Sequence, residues 1–204
     1  MNYKAPFLRY DRIRPVAEEF LVKYHPKMTV PLPIEEIIEF DLKIDIVPFP
    51  NLQKDYSVEG WLSNDMKTIY VDEGVMDKFE NRYRFTLAHE LGHRILHEDF
   101  YSQTSFNNVA EWISVQDSID SDQYSWFETQ AYDFAGLILV PPSFLLQEYA
   151  QAIAMLESQS YQFKKANFEM INGYISKVIA KVFAVSEDVA LRRIRKDDLT
   201  PNAI

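Results

Sequence analysis

Apolar residues recur at helical spacing over residues 13–24, where Ile13, Ala17, Phe20, Leu21 and Tyr24 share one face and His25-Pro26 ends the run. After Pro31-Leu32-Pro33 a short helix is expected over 34–40, with Ile34, Ile37 and Ile38 on one side. The period changes to two at Lys43-Ile44-Asp45-Ile46-Val47, a strand stopped by Pro48. Residues 58–62 and 68–71 flank the turn Ser63-Asn64-Asp65 and read as an antiparallel hairpin. The helical period returns over about 81–97, and again over 124–140 until Pro141-Pro142 stops it. Ser143 is placed to cap a third helix reaching Leu156. Residues 99–123 are polar and aromatic without a clear period and read as a surface excursion, either a lid or an ordinary loop. From about 166 to 196 two helical stretches meet at Ala184-Val185-Ser186, with Ser186 as N-cap and Glu187 and Asp188 in the first turn.

This pattern predicts an α+β protein: a small antiparallel sheet packed on a mostly helical body, closing in a helix-turn-helix-like pair. One domain is expected over 1–204, with an N-terminal helix in 1–30, a core over 31–158 and a C-terminal helical subregion over 159–204. Composition narrows the chemistry. The chain has no cysteine, so thiolate ligands and disulfides are excluded and any metal must be held by His and carboxylates. A net charge of −10 opposes binding to a phosphate backbone. The first ten residues lack the apolar run of a secretion signal, and the most apolar stretch, 134–140, is too short to span a bilayer. A cytoplasmic protein without a membrane partner is the expectation.

The helix predicted over 81–97 carries His89, Glu90 and His93 in the spacing His-Glu-x-x-His. Residues four apart sit one turn up on the same face, so both imidazoles can reach one ion, with Glu90 about 100° around the axis beside it. That is the zinc peptidase arrangement, two His as ligands and the Glu as general base. A catalytic zinc takes a third protein ligand. His97 lies another turn along, about 5–6 Å, which suits a supporting or substrate-facing place better than direct ligation. Asp99 has the spacing of an extended motif, but that motif needs a Gly where this chain has Leu96. Glu128 is better placed. Ala131 and Ala135 share its face, and Ala88 and Gly92 offer a matching small-residue face around the His pair. Gly92 costs about 1 kcal/mol against Ala inside a helix, which suggests close backbone approach there. The bland alternative is an acidic residue favoured near a helix start; the apposed small faces favour the ligand.

His89-Glu-Leu-Gly-His-x-x-Leu-His97, followed by Glu128, Ala131, Phe134, Ala135, Ile138 (where Leu is usual) and Pro141, resembles the ImmA/IrrE family of bacterial metallopeptidases. The hairpin strand Thr68-Ile-Tyr-Val71 and the segment 179–186 are also similar to that family, so the resemblance runs from about Pro31 to Lys196. It implies a thermolysin-like, gluzincin-type core with Glu128 as third zinc ligand. It also implies a protein substrate, a helix-turn-helix repressor controlling a phage, mobile element or stress response. The chain departs from the pattern at Tyr132, where Asn is usual and would orient a ligand His, and at Gln130, where Glu is common. The Tyr132 hydroxyl or Asp133 is the expected substitute.

The expected mechanism places zinc, with manganese as an alternative ion for the same donors, on His89, His93 and Glu128, with Glu90 moving the proton. His97, Tyr132 and Tyr124 are the candidates to stabilise the oxyanion, and an extended substrate is expected to pair with the edge of the 58–71 hairpin. Two rival functions stand beside this one. The C-terminal pair carries Lys177, Lys181, Arg192, Arg193, Arg195 and Lys196 against Glu187 and Asp188, so a DNA-binding regulator is conceivable. A recognition helix, however, brings its N-terminal residues to the bases, and here those are acidic. The other rival is a non-cutting metal-containing module that sequesters a repressor; Glu90 argues against it, because a purely structural site needs no base.

Overall fold

The computed structural model describes residues 7–159 and 167–201; the expected helix start at Ala166 and the first six residues, read for a secretion signal, lie outside them. α1 (Tyr10–Tyr24) buries Ile13, Ala17, Phe20 and Leu21, the face its spacing marks out. α2 (Ile34–Glu36) runs on into a π turn, Ile37–Asp41, and together they bury Ile34, Ile37 and Ile38.

Three strands follow: β1 (Asp45–Phe49), β2 (Gly60–Leu62) and β3 (Thr68–Asp72), in the spatial order β1-β3-β2. The β2–β3 hairpin is antiparallel as expected, with Trp61 opposite Tyr70 and their rings stacked at 4.6 Å. β1 joins the other side of β3 in parallel, Asp45 opposite Thr68, so the sheet is mixed rather than antiparallel. The alternation at 43–47 specifies a strand but not its direction, which is set by the crossover through α3 (Leu52–Tyr56) and β2. Asp72 fixes that crossover at both ends: Oδ1 accepts from the Val75 amide to cap α4 (Glu73–Lys78), and Oδ2 accepts from the Gln53 amide of α3.

Most of the rest is helical, which brings helix to 69% of the described residues. α5 (Glu80–Leu96) lies between the sheet and α8 (Ser121–Leu139). α9 (Pro142–Ser158), α10 (Phe168–Phe183) and α11 (Glu187–Lys196) complete the body, and Ser186 caps α11 by accepting from the Val189 amide. The segment read as an aperiodic excursion is instead α6 (Glu98–Gln103), α7 (Val109–Asp117) and the first turn of α8. Its polar residues include caps rather than loop: Asn108 accepts from Glu111 N, and Asp120 from the amides of Asp122 and Gln123. Phe100, Tyr101, Val109 and Trp112 are the buried sides of helices too short to display a period. α9 likewise starts one residue before Ser143, with Pro142 at its first position, where the missing N–H costs nothing.

α5 and α8 meet at Gly92. A Cβ there would lie 2.9 Å from the Ala131 carbonyl oxygen and 3.0 Å from its Cα. Both are backbone atoms and cannot swing aside. Gly92→Ala gains about 1 kcal/mol of helix propensity, but overpacking costs about 1–3 kcal/mol. The expected result is a lower melting temperature, by about 2–5 °C, in a thermal unfolding scan. A raised melting temperature would contradict so close a crossing.

Candidate metal centre

The α5–α8 crossing aims three side chains at one point. His89 Nε2 stands 3.1 Å from His93 Nε2 and 3.1 Å from Glu128 Oε2, and His93 Nε2 is 3.6 Å from Glu128 Oε1. One donor atom from each of the three lies within 4.8 Å of the others. Tetrahedral zinc with N and O ligands at about 2.0–2.1 Å requires ligand separations of about 3.3–3.4 Å. The observed spacings bracket that value, and two imidazoles with a carboxylate are a zinc-type donor set, so the residues fit such an ion. Among the described residues this is the one group of three or more His, Cys, Asp or Glu so arranged. Because α8 begins at Ser121, Glu128 is well inside the helix and its acidity is not explained by the helix start.

The cluster opens on a cleft of about 340 Å³ lined by Ser57–Gly60, Phe85, Thr86, Trp112, Gln116, Tyr124 and Tyr132 as well as His89, Glu90, His93 and Glu128. Gly60 is the point where β2 passes α5: a Cβ there would meet Thr86 Cγ2 at 2.5 Å and Glu90 Cγ at 3.5 Å. Glu90 is 6% exposed, and burial, together with the nearby charge of Glu128, raises its pKa to about 7 against the lowering effects of His89 and of a hydrogen bond from the Leu62 amide. Burial would also raise Glu128, but the charges of His93 and His89, the His89 hydrogen bond and one from the Tyr124 hydroxyl outweigh it and take it to about 2. Burial holds His93 well below its ordinary range. At His89 the hydrogen bond and charge of Glu128 overcome burial and raise the pKa.

The structure brings His89, Glu90, His93 and Glu128 together, with Tyr124 bonded to Glu128 and Tyr132 on the cleft wall. Tyr132 packs against Phe85 at 4.6 Å and under the Arg192 guanidinium at 4.1 Å, not against a ring of the His pair. Asp133 is not brought to the cluster: it pairs with Arg192 at 3.1 Å and Lys196 at 2.8 Å on α11. His97 is 1% exposed and lies behind His93, away from the cleft, so it is not placed to meet an oxyanion. Its ring contacts His93 and Gln130 instead. Asp99 is exposed on α6, apart from the cluster. Trp112 and Gln116 were not legible as cleft residues, because their helix carries no period long enough to read. Gln130 stood out only as a departure from a pattern; its partner is 33 residues away and no spacing rule connects them.

A mostly helical α+β fold with a His-His-carboxylate cluster in a cleft is the class of protein these observations define. Its family follows from comparison: residues 41–195 match the IrrE N-terminal-like domain, a peptidase family, and the chain belongs to that family. Among solved structures it is similar to a Mycobacterium tuberculosis transcriptional regulator, with a TM-score of 0.55 at 16% identity. That likeness, which concerns the fold, covers 91% of this chain and 58% of the other, so this chain spans little more than half the regulator's length. No curated protein matches the sequence.

Proposed function

We propose that this chain is a zinc-dependent endopeptidase that cuts a protein substrate, a helix-turn-helix transcriptional repressor of a phage, mobile element or stress regulon. The observation that carries the reading is the convergence of His89, His93 and Glu128 beside the Glu90 carboxylate on one cleft. His89, His93 and Glu128 would hold the ion, with manganese as the alternative to zinc. When bound, such an ion supplies a Lewis acid for the peptide carbonyl and an acidified water. Glu90 takes a proton on its carboxylate and returns it to the leaving amine. The Tyr124 hydroxyl donates to Glu128 and steadies it, which leaves Tyr132, on the cleft wall, as the tyrosine to donate to an oxygen in the cleft. β2 is a sheet edge beside the cleft, so an extended peptide pairs there through its main chain. The repressor as substrate rests on the family resemblance, and it sets the reaction in the cytoplasm; consistent with this, no helix among the described residues is long and apolar enough to cross a membrane.

The DNA-binding alternative loses its main support in the pairing of α11. Arg192 and Lys196 face Asp133, Arg193 faces Asp197, and Arg195 faces Glu169. The test is incubation with zinc and helix-turn-helix repressors of the same genome, read by mass spectrometry. New termini at one bond, absent with chelator, are expected. A repressor that remains whole in the zinc-loaded mixture sinks the reading, and one held without being cut favours sequestration.

A further inference from the structure

Behind the cluster runs a second row of polar groups. His93 Nδ1 faces His97 Nδ1 at 3.1 Å, and His97 Nε2 faces Gln130 Oε1 at 3.0 Å. All three side chains are sealed from solvent: His93 is 2% exposed, His97 and Gln130 1% each. Phe127, on the turn of α8 that also carries Glu128 and Gln130, stacks on His97 at 4.1 Å and lies against His93 at 4.4 Å, fixing both ring planes.

Two facing ring nitrogens at hydrogen-bond distance share one proton, so one donates and the other accepts. The far end of the row decides which. An amide oxygen can only accept, so His97 donates to Gln130 from Nε2 and its Nδ1 carries a lone pair. That lone pair accepts the Nδ1 proton of His93. A neutral His93 protonated at Nδ1 has its lone pair at Nε2, the atom that meets His89 and Glu128. Reversing the row would put a proton on the very nitrogen that has to ligate.

We infer that Gln130, acting through His97, is a positioning residue that sets the tautomer of His93 so that Nε2 is presented as a metal ligand. This rests on the metal-site reading above and deepens it. Orientation of ligand imidazoles by hydrogen bonds to their other nitrogen is general, and losing such a partner typically lowers metal affinity about 10–100-fold. What is particular here is that the partner is a second imidazole and that the direction of the row is fixed by a neutral amide three helical positions past Phe127, rather than by a carboxylate.

Two measurements on the full chain test it. In the zinc-free wild type, two-bond ¹H–¹⁵N spectra of the imidazoles should show His97 protonated at Nε2 and bare at Nδ1, and His93 protonated at Nδ1 and bare at Nε2. The opposite tautomer at either ring overturns the inference. Zinc affinity, from competition with a chromogenic chelator, should fall about 10–100-fold in Gln130→Met and in His97→Phe. Gln130→Glu, whose carboxylate also only accepts, should hold zinc at least as tightly as the wild type. The double variant Gln130→Met/His97→Phe should lose no more than either single one, because both break the same row. Wild-type affinity in a folded Gln130→Met, or equal losses in Gln130→Met and Gln130→Glu, overturns the relay. A wild type that binds no zinc refutes the metal-site reading instead, so the two failures are distinct. Should Gln130→Met or His97→Phe not fold, the wild-type tautomers still decide the matter.

Discussion

Glu90→Gln is expected to lower turnover about 10²–10⁴-fold while the protein retains zinc at wild-type stoichiometry. On the activation barrier that loss is roughly 3–5 kcal/mol. The substitution keeps the shape of the side chain and its place on the cleft wall, where Glu90 is almost fully buried against β2. An amide can still donate to an incoming carbonyl, but it has no oxygen that takes and returns a proton at neutral pH, so the step lost is proton transfer and not binding. KM should therefore change little while kcat falls. Glu128→Gln should behave differently, because it removes the charge facing both imidazoles and so weakens metal binding along with turnover. Fragment yield with time, paired with elemental analysis of bound zinc, separates the two. Cleavage by Glu90→Gln at the wild-type rate would remove Glu90 from the mechanism.

Glu90 and Glu128 also differ in how much of the chain defines them. His89, Glu90 and His93 are local: one helix with a fixed rise places them, so five positions of sequence suffice to read their geometry. Glu128 was legible one level up, because Gly92 and Ala131 are small where two helices must approach, and the Cβ that would clash at 2.9 Å is the reason. The long periodic helices α1, α5 and α8 were readable for the same cause, each showing its buried face over three or more turns. What escaped was either short or distant. α6 and α7 are six and nine residues long, too short for a period, and the caps Asn108 of α7 and Asp120 of α8 have the composition of loops. The parallel partnership of β1 with β3 depends on a crossover, not on the strand's own residues. The His97–Gln130 contact joins two helices whose relative rotation is set by packing, which no single-chain pattern encodes.

The most distant of these links makes the largest stability prediction. Arg193 is 3% exposed and its guanidinium meets Asp197 through two hydrogen bonds of 3.1 Å, Val140 O at 3.2 Å and the Tyr10 hydroxyl, which itself donates to Asp197 Oδ1 at 2.6 Å. Gly136 makes room for the stem: a Cβ there would lie 2.9 Å from Arg193 Cδ. The cluster thereby joins α1, the end of α8 and α11. Arg193→Met keeps an apolar stem of similar reach but leaves the Asp197 carboxylate buried, with Arg14 at 3.9 Å as its remaining cation. Breaking one half of a buried pair costs about 3–5 kcal/mol, and the residual Arg14 contact favours the lower end. A fall of about 6–12 °C in melting temperature is expected. Arg193→Met combined with Asp197→Leu should recover most of it, since the penalty belongs to the stranded charge and not to the loss of the pair. Losses that add in the double variant would show that the cluster contributes packing alone. Acidity gives an independent check. Burial alone would raise the pKa of Asp197, but hydrogen bonds and charge from Arg193 outweigh it and hold the carboxyl below its ordinary 3.8. A depressed carboxyl stabilises the fold above its ordinary pKa and loses that stabilisation as pH falls through the lowered one. The gap between wild type and Arg193→Met should therefore be widest near neutrality and narrow below about pH 3.8. Zinc affinity of the folded variant should be unchanged at neutral pH, because Gly136 stands about two turns along α8 from Glu128 and the metal cluster shares no residue with this one.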